Sequence, residues 1–172
     1  MATAQITPDH DAILAEVFIA APPARVFEAI ADPKQLAEWW GKKGVFRVLE
    51  SKYDLRPGGK WSYEGLGPEN ARFHMEGEYL EVDPPRLLVQ TRVADFAGDF
   101  TTIVRYELAP HEVRGLDPAG THKLGTGTLV RVRHSGFAGH VDQARSHFTG
   151  WSVSLGWLKD YVEQGVTFLM RD

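Results

Sequence analysis

Hydrophobic residues follow one another along most of this chain in short runs interrupted by polar residues, a pattern typical of β-strands. The first run, residues 12–20, is rich in β-branched and aromatic side chains and ends before Pro22 and Pro23. Proline lacks the N–H group that a β-ladder requires, but it suits the first turn of a helix. We therefore expect one strand followed by two short helices, over residues 24–31 and 34–40.

Between residues 45 and 135 the pattern predicts six further strands, separated by turns that contain glycine and proline. The hydrophobic phase of residues 72–82 changes after Tyr79, which predicts a β-bulge near Gly77. Residues 110–127 contain four glycines among polar residues and are predicted to form a loop. The predicted strands span residues 45–51, 60–64, 72–82, 87–93, 100–109 and 128–135.

The last predicted element is a long helix from about His140 to Gln164, a stretch without proline. Its apolar residues recur at intervals of three and four positions, as on one face of a helix, and Gly165 suits its C-terminal cap. At 1.5 Å per residue the helix is roughly 37 Å long, enough to cover the height of a sheet. The apolar stripe consists of Phe148, Trp151, Leu155, Leu158 and Val162.

This order of elements indicates the fold class. Alternating βαβ units are missing, and short connections between successive strands imply an antiparallel sheet. The terminal helix is the only large element that can cover its apolar face. We predict an α+β fold in which a curved antiparallel sheet of about six to seven strands wraps around the C-terminal helix. Residues 12–165 would form a single domain between a flexible N-terminus (1–11) and a C-terminal tail (166–172).

Composition narrows the range of partners. The net charge of −4 provides no strong basic field, so we expect no nucleic-acid binding. The absence of cysteine excludes disulfides, thiolate catalysis and Cys-ligated metals. No apolar run approaches the ~20 residues that span a bilayer, and residues 1–10 do not resemble a signal peptide. We therefore expect a cytoplasmic protein without a membrane span.

Seven short motifs follow one another over about residues 12–165. They are Ala20-Ala21-Pro22-Pro23 with Val26-Phe27, Trp39-Trp40-Gly41, the run DLRPGGKW from Asp54 to Trp61, Gly77-Glu78-Tyr79 with Pro84-Pro85-Arg86-Leu87, Gly127-Thr128, His134-Ser135-Gly136-Phe137, and Gly150-Trp151 with Leu155 and Leu158. Their order resembles the START-like superfamily, also called SRPBCC or Bet v-like. Within it, the chain is similar to the branch named after the activator of the heat-shock chaperone ATPase.

The resemblance implies a helix-grip fold, in which the sheet and the terminal helix enclose a cavity. It implies no single activity, because superfamily members bind lipids, hormones and polyketides, and a few are cyclases or hydrolases. The loop predicted at residues 110–127 looks longer than is usual in the branch.

Aromatic and polar residues expected on the inner faces of the strands and the helix form the predicted ligand site. Aromatic walls suit apolar ligands, and a few polar groups orient them. Gly150 and Gly156 lie inside the predicted helix, where a glycine would either leave room for a ligand or close sheet contact, or pack against a bulky strand residue such as Tyr106. Packing is favoured for Gly156, and both roles stay open for Gly150. For Trp61 and Trp151 an ordinary core role stays open. The predicted ligand-binding residues are Trp40, Trp61, Tyr63, Met75, Thr91, Tyr106, His134, Trp151 and Leu155.

The favoured function is binding of a small apolar or amphipathic molecule, without catalysis and without a cofactor. One alternative is a cavity enzyme of the cyclase, dehydratase or hydrolase type, in which His134 is the general acid or base. Another is a co-chaperone, suggested only by the branch name, since the sequence itself does not support a chaperone contact. No metal is expected, because His140 and His147 are seven positions apart. Whether the protein forms a homodimer stays open.

Overall fold

One curved antiparallel sheet wraps around a long C-terminal helix. The structure, a computed structural model, describes residues 1–98, 100–116 and 122–171. Nine strands form the sheet within this part of the chain, in the order β1-β2-β9-β8-β7-β6-β5-β4-β3. The strands are β1 (Thr3–Ile6), β2 (Ala12–Ile19), β3 (Gly41–Lys42), β4 (Phe46–Tyr53), β5 (Lys60–Leu66), β6 (Arg72–Asp83), β7 (Leu87–Ala94), β8 (Thr102–Leu116) and β9 (His122–Ser135). The α+β class and the antiparallel sheet are confirmed.

Three α-helices accompany the sheet in the described residues: α1 (Pro23–Ala31), α2 (Pro33–Trp39) and α3 (Val141–Gln164). The Asp32 side chain accepts a hydrogen bond of 2.9 Å from the backbone N–H of Lys34 and so caps α2, an interaction worth about 1 kcal/mol. Helix α3 ends at Gly165, whose φ of 70° is easily adopted only by glycine. The two short helices and the long helix therefore match the predictions from proline, glycine and spacing.

The prediction of six to seven strands was too low. Strand β1 lies in the N-terminal segment expected to be flexible, and its pairing with β2 joins Thr3 to Glu16 and Ile6 to Ile13. Strand β3 has only two residues, too few for a recognisable pattern. Strand β1 alternates polar and apolar residues, but its four residues are too few and none is fully buried, so it gave no clear signal.

The predicted loop at residues 110–127 was also wrong for the residues that the structure describes. Strands β8 and β9 remain paired from Pro110 opposite Thr128 to Leu116 opposite His122, and residues 117–121 lie outside the described part. This ribbon leaves the core, and residues 109–113 are all exposed. Exposed strand residues need no hydrophobic alternation, so the sequence of residues 109–113 resembles a loop.

The bulge in β6 lies between Tyr79 and Glu81 rather than at Gly77. Gly77 has a different role, because a Cβ at this position would lie 2.0 Å from the carbonyl oxygen of Thr91 on β7. The glycine therefore permits a close approach of two backbones in the middle of the sheet.

The core lies between the concave face of the sheet and the helices. Helix α3 packs against β1, β2 and α1, and its buried residues match the predicted stripe at Trp151, Leu155 and Leu158. Phe148 and Val162 are partly buried against the same core. Within the described chain, no helix has both the length and the apolar content needed to cross a bilayer. Because α3 rests mainly on β1 and β2, the opposite half of the sheet is left for a cavity.

Candidate ligand-binding cavity

A cavity of about 330 Å³ lies between α3, α2 and strands β4 to β8. Small-molecule sites usually have volumes of roughly 300–1,000 Å³. The lining of this cavity includes the exposed residues Val45, Phe96 and Gly150, so the cavity opens to solvent between α3 and the sheet. The aromatic lining residues are Trp39, Trp40, Phe46, Trp61, Tyr63, Phe96, Tyr106, Trp151 and Trp157.

Neighbouring aromatic rings hold one another in place around this cavity. Trp40 packs edge-on against Phe46 with 4.4 Å between ring centroids, and Trp61 lies 4.8 Å from Tyr63. Such pairs contribute about 0.5–1.5 kcal/mol beyond the burial of their surface. The wall is therefore largely formed in the absence of a ligand.

The face of α3 that borders the cavity carries small side chains. Ser146, Gly150 and Ser154 recur every fourth residue and line the cavity. A Cβ at Gly150 would meet no heavy atom within 4 Å, which agrees with room beside the helix, one of the two roles considered for this glycine. The same holds for Gly156, so the expected packing of Gly156 against Tyr106 is wrong.

The C-terminal segment supports the wall from outside. The guanidinium group of Arg171 donates hydrogen bonds to the carbonyl oxygens of Trp39, Gly41, Trp157 and Val166 at 2.6–3.2 Å. Two of these carbonyls belong to tryptophans that line the cavity. Residues 166–171, expected to be a tail, thus connect α2, β3 and α3.

Arg92 is the charged residue of the lining. It lies on β7, and its side chain is half-buried. Nη2 donates a hydrogen bond of 3.1 Å to the Met75 sulfur, whereas Nε is inaccessible to solvent and has no acceptor. Burial lowers the pKa of Arg92, but arginine stays protonated in proteins at neutral pH.

The other titratable lining groups are neutral near pH 7. Burial raises the pKa of Tyr63 far above its ordinary value and that of Tyr106 to about 12, so both phenols keep their protons. Burial and the charge of Arg92 lower the pKa of His147 to about 4. Nδ1 of His147 lies 2.8 Å from the carbonyl oxygen of Gln143, to which it donates, so Nε2 is the acceptor of the neutral ring.

His134 lies behind the cavity, not in its lining. Its ring is fully buried, and Nδ1 lies 3.0 Å from the indole Nε1 of Trp151. Because an indole N–H can only donate, Nδ1 is the acceptor and Nε2 carries the proton, which it donates to Thr102 Oγ1 over 2.7 Å. Burial lowers the pKa of His134 well below 6.5. Both ring nitrogens are thus occupied, which leaves neither for the acid–base role considered from the sequence.

Six of the nine residues predicted for the site line the cavity, namely Trp40, Trp61, Tyr63, Met75, Tyr106 and Trp151. Three do not. Thr91 accepts a hydrogen bond from the backbone N–H of Glu78 between the strands, Leu155 is buried in the core, and His134 lies behind Trp151.

The sequence analysis missed Gln90, Arg92 and His147, all of which line the cavity. Strand β7 carries apolar residues in both phases, so its inner face was assigned to Thr91 instead of Gln90 and Arg92. A shift of one residue exchanges the two faces of a strand. The available signal was the polar run Gln90-Thr91-Arg92 between apolar residues of one strand, since a charged residue is rarely buried without a partner.

A second depression, on the outer face of the sheet, provides no comparable site. Four of its five charged residues form ion pairs, as Arg105 bonds to Glu107 at 2.7 Å and Arg131 lies 3.5 Å from Glu16. In the part of the chain with coordinates described above, no three His, Cys, Asp or Glu residues converge as metal ligands would.

Comparison with known families agrees with this architecture. The family model described as "Activator of Hsp90 ATPase homolog 1-like protein" matches residues 20–116. This segment runs from the end of β2 to the end of β8 and includes most of the strands around the cavity. A search of curated proteins found no match.

Solved structures of similar fold come from several bacteria. Protein CV1439 from Chromobacterium violaceum is 28% identical, with a TM-score of 0.69, over 89% of this chain and 98% of its own. An AHSA1-like protein from Aeromonas hydrophila is 24% identical, with a TM-score of 0.65, over 88% and 91% of the two chains. CalU16 from Micromonospora echinospora is 21% identical, with a TM-score of 0.61, over 96% and 85%. The last two similarities concern the fold alone.

The fold, the matched segment and these neighbours agree with the resemblance drawn from the motifs. The chain therefore belongs to the family of Activator of Hsp90 ATPase homolog 1-like proteins, within the START-like superfamily of ligand-binding domains.

Proposed function

We propose that this protein binds a small amphipathic molecule in the cavity and does not convert it chemically. The observation that carries the proposal is an aromatic-walled space of about 330 Å³, open at one end and bordered by few polar groups. Binding is favoured over the cavity enzyme that uses His134, because both nitrogens of His134 are engaged in the core.

Magnitudes indicate what such a site needs. Burying about 200 Å² of apolar ligand surface contributes about 5 kcal/mol, which corresponds to a dissociation constant of roughly 0.1–1 mM. Tighter binding therefore requires polar contacts in addition to the aromatic wall. Gln90, Arg92 and the two neutral tyrosines are the groups that can provide them.

The neutral fluorescent dye Prodan tests the proposal because its emission shifts to the blue in an apolar site. We expect saturable binding to the wild type and at least tenfold weaker binding to Gly150→Leu, whose side chain would occupy the mouth. Gly156→Leu is the matched control, because it makes the same change on the same helix away from the cavity lining. Absence of saturable binding, or equal binding to both variants, would contradict the proposal.

A further inference from the structure

Within the cavity of the proposed function, we infer that Arg92 selects ligands that carry a carboxylate. The inference depends on that function, and it adds the chemical class of the ligand. Its starting point is that the cationic side chain faces the cavity while its Nε is buried without an acceptor.

The charge of Arg92 has no counter-charge among the described residues. No aspartate or glutamate lines the cavity, and Arg92 belongs to none of the ion pairs in this part of the protein. Among the described residues, its side chain donates to the Met75 sulfur, a weak acceptor. A partly desolvated cation without a partner is unfavourable, so an arriving anion would relieve a cost already present in the free protein.

Arg171, by contrast, is a half-buried arginine whose guanidinium group has several hydrogen-bond acceptors. Its Nε also lacks an acceptor, but its other nitrogens donate to four carbonyl oxygens and its guanidinium lies 5.2 Å from the ring centroid of Trp157. Arg105, on the outer face, pairs with Glu81 and Glu107. Arg92 differs from both because its Nη2 donates to a sulfur instead of an oxygen and its Nε has no acceptor.

A second unpaired donor lies on a cross-strand neighbour of the same sheet, two strands away from Arg92. Trp61 is opposite Gly77, and the pairing of Glu76 with Val93 places Gly77 opposite Arg92. The indole Nε1 of Trp61 is buried and has no acceptor, although Trp61 also lines the cavity. Two buried donors thus flank a residue without a side chain, on the cavity side of three adjacent strands.

A carboxylate matches this set of donors better than other common groups. Its two oxygens accept several hydrogen bonds, and the planar guanidinium group pairs with them in a bidentate geometry. A cationic ligand group would be repelled, and a neutral amide would leave the charge uncompensated. The aromatic wall would hold the apolar body of the same molecule.

The test compares 2-naphthoate with 2-naphthamide, an uncharged molecule of nearly the same shape, as competitors of bound Prodan at pH 7.5. We expect naphthoate to bind the wild type at least tenfold more tightly than naphthamide. Arg92→Met should abolish this preference, Arg92→Lys should restore part of it, and Arg105→Met should keep it. If Arg92→Met does not fold, Trp61→Phe provides a second variant, with an expected loss of about threefold in the preference.

Each outcome separates this inference from the proposed function. Prodan binding together with equal affinities for the two naphthalene probes, or displacement by neither, would overturn the role of Arg92 and leave the cavity proposal standing. A preference for naphthoate that persists in Arg92→Met would also overturn it. Failure of Prodan to bind would contradict the proposed function itself.

Discussion

The indole N–H of Trp151 donates to Nδ1 of His134 over 3.0 Å, and this bond joins the cavity wall on α3 to strand β9 of the sheet. Nε2 of His134 donates to Thr102 Oγ1, which in turn donates to the carbonyl oxygen of Arg92 at 3.2 Å. The chain of hydrogen bonds therefore links a residue of the wall to the backbone of the strand that carries the arginine. His134 acts as a structural connector.

The first prediction concerns that connector. His134→Leu should lower the free energy of unfolding by about 2–4 kcal/mol, because it leaves the buried Trp151 N–H without an acceptor and removes a donor to Thr102. Urea denaturation measures the change. His111→Leu, at an exposed position of β8, is the control and should change stability by less than about 0.5 kcal/mol. Equal stabilities of the two variants would contradict a structural role for His134.

The two glycines inside α3 provide the second prediction. Glycine in a helix interior costs about 1 kcal/mol relative to alanine, and a Cβ at Gly150 or Gly156 would meet nothing within 4 Å. Gly150→Ala and Gly156→Ala should therefore each stabilise the protein by about 0.5–1 kcal/mol in urea denaturation. Only Gly150→Ala should also weaken Prodan binding, since only that position borders the cavity. A loss of stability in either variant would contradict the prediction.

The third prediction concerns pH. Burial lowers the pKa of His147 to about 4, whereas a histidine in the unfolded chain titrates near 6.5. Between these values the unfolded state binds more protons, so stability decreases as the pH falls, with a slope of at most about 1.4 kcal/mol per pH unit for this group. Urea denaturation at pH 7 and pH 5 should therefore show a smaller loss for His147→Gln than for the wild type.

His74 provides a control of opposite sign. Hydrogen bonds to Glu76 and Glu64 raise its pKa, so its contribution to stability is present below pH 6.5 and is lost as the pH rises through the folded-state value. Its side chain is 37% exposed, and solvent screening keeps this contribution small. His74→Gln should lose slightly more stability than the wild type between pH 7 and pH 5. A steeper loss in His147→Gln than in His74→Gln would contradict the assignment of the neutral His147.

The fourth prediction concerns Arg171. Arg171→Met removes the donors for three carbonyl oxygens on α2, β3 and α3 and for that of Val166, and we expect a loss of about 2 kcal/mol in the free energy of unfolding. Arg171→Lys should recover part of it, because the ammonium group can reach fewer acceptors at once. Tryptophan fluorescence should also report a change near Trp39 and Trp157. Unchanged stability in Arg171→Met would show that residues 166–171 do not hold the wall.

The sequence by itself determined the elements whose residues repeat with a period. Three features depend on local geometry, which near neighbours fix: the intervals of three and four positions along α3, the prolines at the start of α1 and α2, and the glycine at position 165. Residues with a clear inward phase, such as Trp61, Met75 and Tyr106, could also be predicted as part of the cavity.

Only the tertiary structure decided which face of β7 points inward, and with it whether Thr91 or Arg92 borders the cavity. That choice depends on pairing with β6 and β8, which lie at a distance along the chain, and a shift of one residue reverses every side chain. The hydrogen-bond partners of His134 on β8 and α3 could not be predicted for the same reason, since both lie on distant segments of the chain. Periodicity records that a residue is buried, but the identity of its neighbours is fixed only when distant segments meet.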